Sequence, residues 1–593
     1  MRKIAYLFLL AAALGTFANP ARHPKTGARQ PAAGNATGRT GQTPGITTVK
    51  NTVNTAVKSA GKTTGTTAAT WYVDPQGDDG NDGSAAHPWA TLHHACSRVH
   101  TPGDVIHLQP GTYREQVPCE LSAGVSVEGA DTSSTHLLFN FFDSTRYTGA
   151  IVLASPDENT PGNQHISGID FGVAPGDSVS TFMMIKKRGQ VAVHDCKFSN
   201  AKTGAVFFYG RSSSGPPGQY ARGNTIFNCH FYDCQDRQSV IGHSAGGDIG
   251  ITGQESMSIH DNLLRNTGRP QGHNGNIIGA VQGWNKGIHY YRNMSFKPLN
   301  EGNVNNFGIE SWYDQGGWEI DHNTFDGGGN AIDISFGGVK GAYPYSFYIH
   351  HNNFTAAANP PFDAAAGHFW IYSVGIQFEG EDIINAGDAE ISYNHFKNIG
   401  GAVMFTQSHG VHESVHNVWI HNNLCQNLGY AGGEFHSFAF ELEAVSGTSS
   451  NRNILIDSIF IYNNTIIGAG KLRSAVFLNA AAPYGIANIF IRNNILKDIG
   501  TAGSYSYLTW WGNGTISNVV SEHNLLFGNM AANDTTRGHG QTVNIRNFRA
   551  SANMVRDPRL GANFAPVPGS PAINAASPLG FGKNIGFSDL PGK

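Results

Sequence analysis

The chain reads as an all-β solenoid, and three features predict it. A strand that ends in Asn, with an apolar residue shortly after, recurs from about His165 to about residue 530 at spacings near thirty residues, with two near forty. A period of that size marks a solenoid whose coils each contribute one turn of a shared core, and it leaves no room for crossover helices. Composition agrees: 74 Gly among 593 residues and only 14% charged side chains suit tight turns and short strands.

In chain order, Met1 to Ala18 carries Arg2 and Lys3, an apolar run from Ile4 to Leu14 and small residues up to Ala18, the layout of a cleaved secretory signal peptide. The run is too short to span a bilayer, and no later stretch approaches ~20 apolar residues. A secreted protein without a membrane span is expected. Residues 19–70 are Thr, Ala, Gly, Pro and Lys with almost no large apolar side chain, so they form a disordered linker that cannot offset the entropy of ordering. A single domain then occupies 71–593. It opens at Trp71 with a strand, a Gly/Asp loop, an amphipathic helix from about Pro88, and strands punctuated by Pro-Gly turns.

The repeat proper includes Asn262, Asn293, Asn323, Asn353, Asn394, Asn423, Asn464, Asn494 and Asn524, with weaker copies around Cys196 and Asn228. Coils of a solenoid stack about 4.8 Å apart, so equivalent residues form ladders. An Asn amide at the strand end can bond the coils above and below while its backbone takes a left-handed or bridge conformation at the turn. The ladder is structural. Of the six cysteines, Cys96 and Cys119 are expected to bridge, whereas Cys196 and Cys229 hold equivalent places in adjacent repeats and stack. A net charge of −4 and the lack of a basic patch argue against nucleic acid.

Chemistry is sought where outward side chains are costly. In the second strand of each coil the inward apolar pairs align as Phe307/Ile309, Ile332/Ile334, Ile376/Phe378, Val403/Phe405, Phe438/Phe440 and Val476/Leu478. Outward positions then fall at Glu310, Asp333, Gln377 and Glu379, Met404 and Thr406, Glu441, and Phe477. Four carboxylates on one exposed face of a charge-poor protein are the clearest functional signal. Two of them on adjacent coils, Glu310 and Asp333, can divide the roles of acid and ionised partner, and Glu379 is expected on the coil after. Trp312, Tyr313 and Trp318 are placed to stack on sugar rings, with Glu441 and Lys286 as further substrate contacts. Lower-ranked candidates are the loop cluster His409, His412, Glu413 and His436 as metal ligands, and Lys286 with Arg292 as base and charge neutraliser of a lyase.

The opening WYVDPQGDDGNDGSAAHPWATLHHACSRV, followed by PGDVIHLQPGTYREQV, resembles the start of secreted right-handed parallel β-helix proteins of the pectin-lyase-like superfamily, and NFAPVPGSPAINAASPL resembles their closing segment. The resemblance implies a right-handed parallel β-helix with an N-terminal capping helix, a loop at Asp82 that shapes a turn or holds calcium, and a glycan partner lying along one exposed sheet. Within the repeat, WEIDHNTFDGGGNAIDIS resembles one coil of the pectate lyases of polysaccharide lyase family 1, where Asp333 would match a calcium-binding Asp. The next coil, FWIYSVGIQFEGED, has no lysine at the family's place, and no later strand has the Pro-Arg-x-Arg arginine, so the base and cation of that mechanism are missing. The sequence therefore points to a secreted glycoside hydrolase using groove carboxylates and needing no cofactor. The alternatives are a lyase in which the same acids hold Ca²⁺ for a uronate substrate, and a glycan-binding or surface module without chemistry; a monomer is expected on each reading.

Overall fold

The structure is a computed structural model, described for residues 68–587 apart from 142–148, 214, 235–245, 266–274, 281–282, 298–306, 328–329, 337–344, 356–373, 381–385, 408–411, 430–436, 446–452, 469–471, 500–506, 529–543 and 579–581. Residues 1–18, expected as a signal segment, and nearly all of 19–70, expected as a linker, lie outside the described residues, as do His409, His436 and most of the loops 337–346 and 356–372.

Each coil lays one strand into each of three sheets, as in Phe307–Asp314 of sheet 1, Trp318–Asp321 of sheet 2, Thr324–Gly327 of sheet 3, and then Asn330–Phe336 back in sheet 1. Among the described residues sheet 1 has 13 strands, sheet 2 has 17 and sheet 3 has 15, and their named strands pair in parallel. This is the parallel β-helix solenoid expected.

The period-2 alternation sends one set of side chains into a continuous core. Sheet 3 contributes a column of rings, with Phe171 on Phe198, Phe198 on Phe231, Phe325 on Phe354 and Phe354 on Phe396, centroids 4.8, 5.1, 5.2 and 4.7 Å apart. That is one coil spacing. Opposite them the corner into sheet 1 needs small residues: a Cβ on Gly375 would stand 2.5 Å from the Phe396 ring. Part of the glycine richness is thus the space these rings occupy.

The corner between sheets 2 and 3 is uniform. A residue with φ near +55° (Asp261, Arg292, His322, His351, Tyr393, Asn422, Asn463, Asn493 and His523) turns the chain, and the ladder Asn follows it. The left-handed residue therefore precedes the Asn, correcting the expectation that the Asn itself takes that conformation. In FYIHHNNF the ladder member is Asn352, not Asn353: Asn352 accepts from the Asn323 amide at 3.0 Å, whereas Asn353 is exposed. From Asn293 to Asn524 each Oδ1 accepts the backbone N–H and the Nδ2 of the Asn one coil earlier, and each Nδ2 also donates to the carbonyl of an Ile or Tyr one coil back, as in Asn394–Asn423 at 2.9 and 3.1 Å and Asn423–Ile391 at 2.9 Å. Cys196 and Cys229 occupy the first rungs of this column, their thiols directed at backbone carbonyls.

A second polar column fills the corner between sheets 1 and 2. Asn224, Gln254, Asn285 and Asp314 are all buried; Asn224 accepts from Val191, Asn285 from Gln254, and Asp314 from Asn285. Burial pushes the Asp314 carboxyl up to about 7, against hydrogen bonds from Ser311 and Asn285 that favour its ionised form.

At the N-terminus the helix is shorter than expected, Leu92–Arg98, because Trp89 still pairs with Val73 and Thr91 caps the helix by accepting from His94. Leu92, Ala95 and Cys96 are its buried face. Asp78 and Asp82 accept the amides of Gly80 and Ser84, so the Gly/Asp loop is held by side-chain-closed turns. Cys96 and Cys119 are neighbouring buried free thiols rather than a disulfide, with the Cys119 thiol raised by hydrogen bonding to Cys96 and by burial. The closing segment folds back over the outward side of sheet 3, where Ala572 and Ile585 pack on Ile495 and Leu525.

Candidate active site

The inward and outward assignment made for sheet 1 holds for the pairs below and fails at Phe438, which alternation sends inward but which stacks at 4.1 Å on the outward Phe477 while Ala439 enters the core in its place. Ile309, Ile332, Ile334, Ile376, Val403, Phe440, Val476 and Leu478 are all at most 1% exposed. Glu310 stands directly opposite Asp333, Asp333 opposite Gln377, Gln377 opposite Met404, Met404 opposite Glu441, and Glu441 opposite Phe477. Glu379 is not the next rung after Asp333. It lies two residues further along its strand, opposite Ser335 and Thr406, and belongs with Trp312 to a parallel row.

The expectation of an exposed acidic face fails, however. Glu310 is 6% exposed, Asp333 1%, Gln377 6% and Glu441 4%. Burying carboxylates costs several kcal/mol each, and the neighbouring rungs Met404 and Phe477 show that this row also accepts apolar side chains. A pair of carboxylates kept in register on such a face is thus a more specific signal than four solvated acids would be. The strands of sheet 1 are also flanked by the longest connections, as between Asn353–Thr355 and Val374–Gly380, while the corner from sheet 2 to sheet 3 stays two residues long. Long connections beside a rigid sheet are where ligand sites are built.

The aromatic candidates separate. Trp318 is fully buried, stacked on Phe347 at 6.0 Å, and so is a core residue rather than a sugar platform. Its position, shared with Phe347, is two places before the inward Ile320 and Ile349, so the alternation of the sheet 2 strand itself sends it inward. Tyr313 sits at a bulge with φ +55° and stacks on Trp284 at 5.3 Å. The side chains of Trp312, Glu379, His412 and Glu413 lie outside the described residues, though their backbones are in strands. Lys286 is 3.4 Å from Glu255 and 3.9 Å above the Tyr220 ring, and Arg292 makes a two-pronged pair with Asp261. Both cations are engaged on the flank of the solenoid.

The sequence reading missed a second constellation, on the outward face of sheet 2. His289 pairs in register with Glu319 and Tyr291 with Asp321, and the next rungs are Tyr348 and His350, then Glu390 and Ser392, then Trp419 and His421. Asp321 accepts from His289 and from His322, both at 2.6 Å; His350 meets Glu319 at 3.2 Å, and His421 meets Glu390 at 3.1 Å. Burial alone would raise Asp321, but the bonds from His289 and His322 outweigh it and hold the carboxyl below its ordinary value. Burial, aided by His350 and His322, pushes His351 down to about 4. The signal was present in the strand ends WEIDHN and FYIHHN, where the outward places held by Phe227 and His260 in earlier coils become acids and imidazoles.

No family model matches the sequence, and no curated protein matches it. Solved structures with some likeness include XylC in complex with xylose, 12% identical over 83% of this chain and 87% of that one with a TM-score of 0.30. A family 28 exopolygalacturonase of Yersinia enterocolitica is 10% identical over 82% and 79% with a TM-score of 0.33. The tailspike double mutant of E. coli bacteriophage HK620 in complex with pentasaccharide is 12% identical over 78% and 77% with a TM-score of 0.37. Likeness at these scores carries nothing about activity.

Proposed function

We propose that the chain is an exported glycan-degrading enzyme, a glycoside hydrolase in which Glu310 and Asp333 divide the roles of general acid and of nucleophile or base. The observation that supports it is their register: two carboxylates side by side on adjacent strands of one face, both covered. Strands in a sheet are about 4.8 Å apart, nearer the ~5–5.5 Å carboxyl separation of retaining enzymes than the ~6.5–9.5 Å of inverting ones. Retention is therefore expected, with Gln377 and Glu441 contributing hydrogen bonds to sugar hydroxyls. Because the row is covered rather than open, a chain end or a short oligosaccharide suits it better than the interior of a long polymer.

The test is a screen of neutral and uronate-containing glycans for new reducing ends, followed by Glu310→Gln and Asp333→Asn on whichever substrate is cleaved. Each amide should lower turnover by about 10²-fold or more while binding in an affinity gel persists, and the first-formed sugar should keep its anomeric configuration by NMR. Full activity in both variants, or binding without turnover on every glycan, refutes the reading. Products absorbing as unsaturated uronates would replace it with elimination.

A further inference from the structure

On a different sheet from the acid pair, we propose that His289, Glu319 and Asp321 form a binding site for one divalent first-row transition ion of the zinc and manganese class. His289 and Glu319 are register partners on adjacent coils of sheet 2, and Asp321 lies two residues beyond Glu319 on the same strand. Alternation therefore brings all three side chains out on one face. One ligand atom from each lies within 4.8 Å of the other two. An ion with bonds of about 2.0–2.2 Å closes such a span through rotamer adjustment alone.

The surroundings are those of a metal centre rather than of three isolated ion pairs. The Asp321 oxygen that does not face His289 is held by His322 at 2.6 Å, and Glu319 is met by His350 at 3.2 Å. Outer imidazoles of this kind fix the orientation of ligating carboxylates. His289 is itself stacked on Tyr291, centroids 4.0 Å apart, which limits its ring to few orientations. Its Nε2 meets Asp321 Oδ1 at 2.6 Å, and ion binding would exchange that proton bridge for two metal bonds.

A second line of support comes from the repeat. On preceding coils the same two outward places hold Thr225 and Phe227, then Ser258 and His260; on later coils they hold Phe460 and Tyr462. Ring stacking on this face, as between Phe227 and His260 at 5.0 Å or Trp419 and Phe460 at 4.1 Å, is what the solenoid uses to tie coils together there. Single acids recur on this face, as at Glu390 and Glu522, but among the described coils both outward places carry carboxylates only at Glu319 and Asp321. One imidazole nitrogen with two carboxylate oxygens is a poor match for calcium, which takes oxygen ligands, and a good one for zinc or manganese. The side chain of His289 is 38% exposed and that of Glu319 35%, so the remaining coordination positions face solvent.

The experiment titrates Zn²⁺, Mn²⁺ and Ca²⁺ into the full chain by isothermal calorimetry, with bound metal counted by elemental analysis, and repeats the titration on His289→Ala and Glu319→Gln. Circular dichroism and melting confirm that each variant is folded. Wild type should take up one Zn²⁺ per chain, with an upward shift in Tm; each variant should weaken binding at least tenfold and lose the shift. His322→Ala, which touches only the outer oxygen, should weaken binding by about 10–100-fold. Co²⁺ substituted for Zn²⁺ should give a visible absorption that His289→Ala alters. Absence of stoichiometric uptake overturns the proposal, as does an equally tight site in folded His289→Ala or a preference for Ca²⁺ over Zn²⁺. Because none of these readouts involves a glycan, failure here and failure of the hydrolase reading are separate results.

Discussion

Replacing Asn423 by Ala removes four hydrogen bonds from one rung of the column. The backbone N–H and Nδ2 of Asn394 lose their acceptor, the Ile391 carbonyl loses a donor, and Asn464 Oδ1 loses one of its two. Asn394, Asn423 and Asn464 are at most 1% exposed, so water cannot substitute. Each buried group stranded in this way costs about 1–3 kcal/mol, and two main-chain groups together with the side-chain loss give about 3–5 kcal/mol. Since each coil of a solenoid touches only its neighbours, the damage should be local. Hydrogen exchange read by mass spectrometry should show lost protection centred on Ser392 to Leu424, together with a lower denaturant midpoint. The matched control is Asn353→Ala, which changes the exposed Asn beside the ladder member Asn352 and should stay within about 0.5 kcal/mol of wild type. A cost below about 1 kcal/mol for Asn423→Ala, or equal costs at the two positions, would refute the account of the column.

Asp314 binds its proton more tightly in the folded chain, with its carboxyl at about 7 against 3.8 unperturbed, so its contribution to stability is full below about pH 4 and lost as pH rises toward 7. Raising a carboxyl that far corresponds to an upper bound of about 4 kcal/mol. Asp314→Asn, which keeps an oxygen for the Asn285 amide, should flatten that loss, so its Tm relative to wild type should be higher at pH 8 than at pH 4; parallel pH profiles would count against the buried carboxyl as the cause. Gly512 has φ +90° and a Cβ there would meet the Ala480 carbonyl oxygen at 2.0 Å, whereas Gly176 has φ +89° with nothing within 4 Å. Gly512→Ala should therefore cost clearly more in Tm than Gly176→Ala, which bears only the backbone strain of about 1 kcal/mol.

The solenoid was legible because its repeat is enforced by stacking: an inward Ile or Phe two places from another, and an Asn at a fixed corner, leave a period that no other fold needs. The facing of Glu310 and Asp333 followed from the same alternation. What did not follow was depth. Alternation separates inward from outward but says nothing of what covers the outward side, so it points to solvent for Glu310, Asp333 and Glu441, which are buried. Trp318 obeys the same alternation, two places before the inward Ile320, and only its grouping with the aromatics that flank sheet 1 placed it outside. Asn352 and Asn353 differ by one place in a run of two identical residues, and only the left-handed turn at His351 fixes which one enters the column. The His289, Glu319 and Asp321 group was hidden because its members belong to two different coils about thirty residues apart.

The Asn column also bears on how such a chain comes to be folded. A coil that has just docked holds its own Asn N–H and Nδ2 toward a partner that does not yet exist; only the next coil's Oδ1 completes it, 29 residues later at Asn394 to Asn423 and 42 later at Asn352 to Asn394. The incomplete front is therefore a single rung whatever the number of coils already in place. The penalty at the growing end is constant while each added coil brings its own core, so formation should be limited by nucleating the first coils and then run as a zipper. The zipper should pause longest at the 41- and 42-residue intervals before Asn464 and Asn394, where the chain must search furthest before the open amide is met.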